Sequence, residues 1–150
     1  MDVEETSLEE QLVAGNRAVI HVTAVIDFFS KALPAVAAEL AREEVPAIGS
    51  PITVYRQRNV EYVEVIAGFP VDRKLPGGTL THTVLHAGPV VRAVHTGPYD
   101  RLGSTYALVG HWFLARGTYP PATMWEQYVV GPAETADPAL WRTVVVFPLF

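Results

Sequence analysis

The chain has 150 residues, of which 49% are hydrophobic and 18% are charged, and its formal net charge is −5. This length and this composition predict one well-packed domain rather than a disordered chain. The acidic balance and the lack of a Lys/Arg run argue against nucleic acid or an anionic membrane as a direct partner, and the absence of cysteine excludes disulfides, thiol catalysis and thiolate metal sites.

The N-terminal residues are acidic and are expected to lie outside the domain. Residues 1–5 carry Asp and Glu where a signal peptide would be basic and then apolar, and no apolar run reaches the ~18 residues that a membrane span needs. We therefore expect a cytoplasmic protein. Residues 1–16 form the predicted acidic segment, either as a short helix, because Ser7 and Glu10 are spaced as a capping box, or as a mobile segment.

The first part of the predicted domain is a strand, a helix and two further strands. The strand lies near residues 17–23, and the helix covers about residues 27–44, where apolar side chains recur at helical spacing and Asp27 is the expected N-cap. Proline and glycine residues then break the chain before two strands rich in β-branched residues, at 52–57 and 60–69.

The second part repeats this order of elements. Residues 72–78 form the predicted linker, and residues 79–86 are expected to extend the strand that opens the second part. The strand, helix and two strands that follow are predicted at residues 90–95, 100–116, 122–130 and 141–147. Gly117 stands where a helix C-cap glycine belongs.

The two parts also match residue by residue. Ile20–Ala24 lies over Ala93–Gly97 with an offset of 73, Tyr55 lies over Tyr128 with the same offset, and later pairs match with an offset of 78. We therefore predict one domain at 17–150 with half-repeats at about 17–70 and 79–150. Its fold class is α+β, with duplicated βαββ units packed about a pseudo-twofold axis and a ligand cleft between them.

Glu126 is the most informative polar residue, because it lies in a strand. Side chains alternate along a strand, so Glu126 shares a face with Met124, Tyr128 and Val130. A carboxylate among large apolar groups must be solvated at an edge, paired with a cation, or protonated. The sequence pattern leaves these alternatives open.

Four pieces of the second half carry a family resemblance. They are His95-Thr96-Gly97-Pro98-Tyr99, the helix from Tyr106 to Trp112 ended by Gly117, Trp125-Glu126-Gln127-Tyr128 with Gly131-Pro132, and Trp141-Arg142-Thr143 leading to Phe147-Pro148-Leu149. In this order and spacing, the chain from about residue 17 to the end resembles the GyrI-like family, also described as the effector-binding domain of BmrR- and Rob-type transcription regulators.

The resemblance implies a pocket between the halves that takes lipophilic, often cationic or aromatic, small molecules, with a Glu in the position of Glu126 at its floor. Tyr55 and Tyr128 are natural walls, because aromatic faces attract cations and flat rings. On the second helix we favour Trp112 over Tyr106 for the pocket. The predicted ligand-binding residues are Glu126, Tyr128, Tyr55, Trp112, Met124 and Phe69.

No metal or cofactor is expected. The five histidines include His82 and His86, but they fall in a strand-rich stretch without an acidic partner at ligand spacing. Gly77-Gly78 is not followed by the Lys-Ser/Thr and helix of a phosphate loop, and no serine stands in a nucleophile elbow.

The favoured function is a stand-alone protein that senses or sequesters lipophilic small molecules, including cationic or aromatic ones, by binding rather than catalysis. The alternative is a hydrolase of the GyrI-like type that acts on cyclopropane-bearing electrophilic natural products, with Glu126 and Tyr128 as its polar catalytic groups. A lower alternative is an interaction protein, such as a gyrase modulator or the sensing subunit of a separate regulator. A homodimer is compatible with each.

Overall fold

The computed structural model describes residues 3–150 as one eight-stranded antiparallel sheet and two α-helices. The strands are β1 (Val3–Leu8), β2 (Gln11–His21), β3 (Ile52–Gln57), β4 (Tyr62–Val71), β5 (Thr81–Leu85), β6 (Gly88–Thr96), β7 (Thr123–Val130) and β8 (Arg142–Pro148), and the helices are α1 (Val25–Arg42) and α2 (Leu102–Ala115). Within residues 3–150, neither helix is long and apolar enough to cross a membrane.

The strand order in the sheet is β1-β6-β8-β7-β3-β4-β2-β5. The first βαββ unit is β2-α1-β3-β4, and the second is β6-α2-β7-β8. If each strand is exchanged for its counterpart in the other unit, and β1 for β5, the same order is read from the opposite edge of the sheet. The central pair, β3 and β7, therefore lies where a pseudo-twofold axis would pass. The prediction of an α+β fold built from two βαββ units is confirmed.

Two additional strands complete the edges of the sheet, and both differ from the prediction. Residues 81–85 do not extend the strand that opens the second unit. They form β5, which pairs with β2 of the first unit from Gly15↔Thr81 to Gln11↔Leu85. The strand ends before the break at His86 and Ala87, and β6 starts at Gly88, where φ is +153°. The chain therefore passes from one edge of the sheet to a strand near the other.

The acidic N-terminal residues form a strand rather than a helix or a mobile segment. Val3–Leu8 pairs along its whole length with β6, from Val3↔Ala93 to Leu8↔Gly88, and β2 already begins at Gln11. The free edge of β6 offers a row of backbone partners, and these pairings outweigh the local capping signal of Ser7 and Glu10. Residues 1 and 2 of the predicted segment lie outside the described residues.

The helices begin and end close to the predicted positions. α1 begins at Val25, so Asp27 lies in its first turn rather than at the N-cap and forms an ion pair with Lys31 at 3.3 Å. α2 ends at Ala115, and Gly117 stands just past its C-cap as predicted, with a φ of +71°. The N–H groups of Gly117 and Thr118 donate to the carbonyls of Leu114 and Phe113, the two bonds of a Schellman motif.

The sheet is strongly curled. One face packs against the helices, while the other face forms a separate apolar core made only of strand residues, including Val54, Ile66, Trp125 and Val146. Leu8 of one edge strand and Leu85 of the other both belong to this core. Seven spacings of ~4.8 Å would hold the edges of a flat sheet ~34 Å apart, so the sheet must bend toward this face. Its helix-covered face carries the candidate site.

Candidate functional site

Glu126 lies at the centre of the helix-covered face, and its side chain is buried, with 3% exposed. Three phenols donate to its carboxylate. The Tyr55 hydroxyl lies 2.7 Å from Oε1 and the Tyr128 hydroxyl lies 3.0 Å from Oε1, while the Tyr106 hydroxyl donates to Oε2. Both oxygens of the carboxylate are therefore satisfied without a cation.

Strand register and alternation bring these groups together. Thr53 of β3 is the register partner of Glu126 on β7. Tyr55 and Tyr128 lie two residues further along their own strands, so they project to the same face. The Tyr128 hydroxyl lies 2.8 Å from Thr53 Oγ1. A phenol has one proton, so when Tyr128 donates to Glu126 it accepts from the Thr53 hydroxyl.

The electrostatics of the cluster are dominated by burial. Loss of hydration raises the pKa of Glu126, although the hydrogen bonds from the three tyrosines and the nearby His95 oppose this shift. Burial, followed by the Glu126 charge, raises the pKa of Tyr55, Tyr106 and Tyr128 well above 10. The phenols therefore stay protonated and act as neutral donors to the carboxylate.

A cavity of about 660 Å³ opens directly onto Glu126. Its volume lies within the range of small-molecule sites. Most of the residues that line it are apolar or aromatic: Val22, Val25, Tyr55, Val63, Tyr106, Met124 and Phe147. Pro120, Pro121 and Ala122 also line the cavity, and no Lys or Arg among residues 3–150 does so. Glu126 is therefore its one ionisable group other than the phenols.

A second cavity of about 470 Å³ lies on the other side of Tyr128. Its walls are mainly aromatic and aliphatic, with Phe29, Leu33, Phe69, Tyr99 and Tyr128. The residues predicted from the sequence are thus divided between two spaces. Glu126, Tyr55 and Met124 line the first cavity, whereas Tyr128 and Phe69 line the second.

The structure places Trp112 away from both cavities. Its ring contacts the Phe113 ring, with centroids 5.1 Å apart, and the Arg116 guanidinium lies 3.7 Å from the centroid of the Trp112 ring. Six helical residues correspond to a rotation of about 240°, so Tyr106 and Trp112 cannot face the same direction. The sequence analysis favoured Trp112, but Tyr106 is the helix residue that reaches Glu126.

His95 and Tyr99 are two further residues to which the sequence analysis gave no role. His95 is buried, with Nδ1 2.9 Å from Thr105 Oγ1 and Nε2 3.0 Å from the Pro98 carbonyl oxygen. The carbonyl can only accept, so Nε2 donates to it. This bond anchors the turn through Gly97, whose φ is +128°.

The anchored turn positions Tyr99 as part of an aromatic group. Its ring lies 4.8 Å from that of Trp141, 5.2 Å from Phe29 and 5.5 Å from Tyr128, measured between centroids. Burial raises the pKa of Tyr99 to about 12, with the Glu134 and Glu126 charges as smaller causes. The His-Thr-Gly-Pro-Tyr motif was visible in the sequence, but its contacts depend on the fold.

Among residues 3–150, no group of three or more His, Asp or Glu side chains is placed to hold a metal ion. Of the two histidines with i, i+4 spacing, His82 accepts a hydrogen bond from the Leu75 N–H at 3.2 Å. His86 lies 4.0 Å from a Glu10 carboxylate oxygen.

No protein-family model and no curated protein sequence matches the chain. Solved structures with a similar fold include the C-terminal domain of EcmrR, with a TM-score of 0.77 and 22% identity over 98% of this chain and 96% of that one. The EcmrR–DNA complex matches with a TM-score of 0.78 and 22% identity, over 98% of this chain but only 56% of the length of EcmrR.

Two other similar structures carry different descriptions. SAV2435 bound to tetraphenylphosphonium has a TM-score of 0.75 and 10% identity, over 99% of this chain and 93% of that one. A hydrolase encoded by lin2189 from Listeria innocua has a TM-score of 0.59 and 11% identity, over 97% and 90%. At these identities the likeness concerns the fold alone, and it agrees with the GyrI-like fold that the sequence resemblance implies.

Proposed function

We propose that the protein binds lipophilic small molecules in the Glu126 cavity, with a preference for cations, and so senses or sequesters them. The observation that carries this proposal is a buried carboxylate whose direct hydrogen-bond partners are phenols rather than a Lys or Arg. The cavity that opens onto it is otherwise apolar. A cationic guest would therefore bring an opposite charge to a carboxylate that only neutral phenols contact directly.

A cationic guest would relieve the cost of keeping Glu126 buried. Lost hydration raises the pKa of the carboxyl, and an opposite charge nearby favours the ionised form. The faces of Tyr55 and Tyr106 add cation–π attraction at the same wall. That SAV2435, which has a similar fold, was solved bound to tetraphenylphosphonium supports this choice of guest.

The decisive experiment compares tetraphenylphosphonium with triphenylphosphine oxide, a neutral compound with similar aromatic groups, by isothermal titration calorimetry. Replacing Glu126 with Gln should weaken binding of the cation ~5–150-fold, or ~1–3 kcal/mol, because the phosphonium loses the attraction of an opposite charge in a partly desolvated site. Binding of the neutral compound should change little. Equal loss for both compounds, or no loss for either, would contradict a charge-selective site.

Two controls separate this effect from misfolding. Glu61→Gln removes an exposed carboxylate that lines neither cavity and should leave both affinities unchanged. Glu126→Gln should also unfold at a temperature equal to or above that of the wild type. A raised folded-state pKa means that ionised Glu126 costs stability at neutral pH, and the neutral amide avoids this cost.

The hydrolase alternative has one supporting observation, which is that the carboxyl and the Tyr55 and Tyr106 phenols meet at one cavity wall. A carboxylate there could orient a water while a phenol donates to a developing oxyanion. Mass spectrometry of cyclopropane-bearing electrophiles after incubation distinguishes the two functions. A gain of one water that Glu126→Gln abolishes would make catalysis the function, whereas an unchanged mass favours binding.

A further inference from the structure

The second cavity corresponds to the first across the central strand pair. Four of the residues that line it are repeat counterparts of residues that line the Glu126 cavity. With an offset of 73, Leu33, Pro51 and Tyr128 correspond to Tyr106, Met124 and Tyr55, and with an offset of 78, Phe69 corresponds to Phe147. The sheet order, which is symmetric about β3 and β7, places the two cavities equivalently.

The two cavities differ in charge. The counterpart of Glu126 is Thr53, a neutral residue that is 0% exposed and whose hydroxyl is already bonded to Tyr128. The one carboxylate at the second cavity belongs to Glu134, an exposed residue whose Oε2 accepts from the Gly131 N–H at 3.2 Å. An exposed carboxylate is screened by water and attracts a cation weakly. Within the part of the chain that the structure describes, no Lys or Arg lines the cavity to attract an anion.

The walls of the second cavity suit a flat aromatic ring. Phe29, Tyr99 and Tyr128 form a continuous aromatic wall, with ring centroids 4.9 to 5.5 Å apart. Aromatic rings bury a large area and pair favourably in offset or edge-to-face geometry. A planar guest can therefore pack against this wall, beside Leu33 of α1.

The Tyr99 hydroxyl supplies a directional polar contact. A Cβ placed on Gly131 would lie 3.0 Å from the Tyr99 hydroxyl, so this hydroxyl is next to Gly131. Both residues line the cavity. Among residues 3–150 this hydroxyl has no hydrogen-bond partner. A protonated phenol in this position can donate to a carbonyl or ether oxygen of a guest.

We propose that this cavity is a second binding site, which takes a neutral planar aromatic compound bearing a hydrogen-bond acceptor while the Glu126 cavity holds a cation. The two sites share the Tyr128 side chain, whose ring lines the second cavity and whose hydroxyl reaches Glu126. Occupation of the second site does not depend on the cation preference of the first.

Acridone, a neutral planar fluorophore with a carbonyl oxygen, is the probe. Its binding is followed by fluorescence anisotropy, with and without saturating tetraphenylphosphonium. We expect acridone to bind in both conditions, and Glu126→Gln to leave its affinity unchanged. Tyr99→Phe, which keeps the ring and removes the donor, should weaken acridone binding about five- to tenfold, the effect of one hydrogen bond.

A matched pair of helix variants locates the site. Ala37→Phe places a ring at an exposed α1 position that lines the cavity, whereas Ala38→Phe places the same ring at the next exposed position, which does not line it. Only Ala37→Phe should block acridone, and neither should alter tetraphenylphosphonium binding. Displacement of acridone by tetraphenylphosphonium with competitive kinetics, equal effects of the two variants, or no acridone binding by the wild type would overturn the proposal.

Discussion

Thr53 and Glu126 lie directly opposite each other in the register of β3 and β7, and each is bonded to a tyrosine of the other strand. Tyr55 of β3 donates to Glu126 at 2.7 Å, and the Tyr128 hydroxyl of β7 lies 2.8 Å from Thr53 Oγ1. The members of each pair, Thr53 with Glu126 and Tyr55 with Tyr128, are 73 residues apart in the sequence. The hydrogen bonds are thus symmetric, while the charge is present on one side only.

The Tyr106 hydroxyl should set the pH range over which the cation binds. Its hydrogen bond is the largest of the contributions that lower the pKa of Glu126, against the larger effect of burial. Tyr106→Phe removes this donor and keeps the ring, so the carboxyl should protonate at a higher pH. Cation binding requires the ionised carboxylate and is lost as pH falls through its pKa.

The measurement is the affinity for tetraphenylphosphonium between pH 4 and pH 8, a range that starts near the usual carboxyl pKa of 4.5 and covers the raised values above it. The pH at which half of the affinity is lost on acidification should be higher in Tyr106→Phe than in the wild type. At pH values well above this midpoint, the two proteins should differ less in affinity. Tyr119→Phe, at a largely exposed position, is the control for removing a phenol. A midpoint that stays in place would show that Tyr106 does not stabilise the carboxylate.

Trp112 should not contribute to guest binding. Its ring contacts Phe113 and Arg116 on its own helix and packs against the core beneath the helices, but it lines neither cavity. Trp112→Phe should therefore leave the affinities for tetraphenylphosphonium and acridone unchanged. A loss comparable to that of Glu126→Gln would restore the pocket role that the sequence analysis assigned to Trp112.

The sequence predicts most elements because their signals are local. Alternation along residues 122–130 is enough to place Glu126 and Tyr128 on one face, and helical spacing with Gly117 is enough to end α2. Local sequence signals cannot decide whether Tyr106 or Trp112 faces the site. The rotation of α2 is fixed by the packing of Leu102, Val109 and Phe113 on the sheet, and the sequence does not contain that contact.

The two edge strands, β1 and β5, were not predicted correctly for a related reason. The residues of β5 have the pattern of a strand, but a pattern does not name the partner strand, and the partner here is β2, more than 60 residues earlier in the chain. The same holds for β1, whose partner β6 lies in the other half. Long-range pairings of this kind depend on which edges remain free once the two units have packed.

Glu64 should make stability sensitive to acid. This buried carboxylate lies on the sheet face opposite the helices and accepts hydrogen bonds from Arg17, Arg56 and Arg58. Burial alone would raise its pKa, but the three arginine hydrogen bonds lower it from the usual 4.5 to about 2. A lowered folded-state pKa stabilises the fold above the unfolded pKa, and this contribution is lost as pH falls from 4.5 toward 2.

Urea unfolding of wild type and Glu64→Gln at several pH values tests this contribution. The wild type should lose stability between pH 4.5 and 2 more steeply than the variant, which cannot titrate at this position. The variant should be the less stable protein at pH 7, because three arginines lose a charged acceptor. Parallel pH profiles would show that the arginines are held by other partners or by solvent.

The two buried threonines near His95 should respond in opposite ways to replacement by valine. Thr143 is 0% exposed, and its Oγ1 has no hydrogen-bond partner among residues 3–150, although it lies between His95 and Tyr128 in the sheet register. Thr105 is also 0% exposed, but its Oγ1 lies 2.9 Å from His95 Nδ1. An unsatisfied buried hydroxyl costs free energy, whereas a satisfied one stabilises both partners.

Thr143→Val keeps the shape of the side chain and removes the unsatisfied hydroxyl, so the free energy of unfolding should stay the same or rise by ~1 kcal/mol. Thr105→Val removes the hydroxyl that bonds to His95 Nδ1. It should lower the free energy of unfolding by ~1–3 kcal/mol. Both values come from urea unfolding at pH 7. If Thr143→Val lowers stability as much as Thr105→Val does, the Thr143 hydroxyl is satisfied in solution, as an ordered water would achieve, and it does not cost the fold free energy.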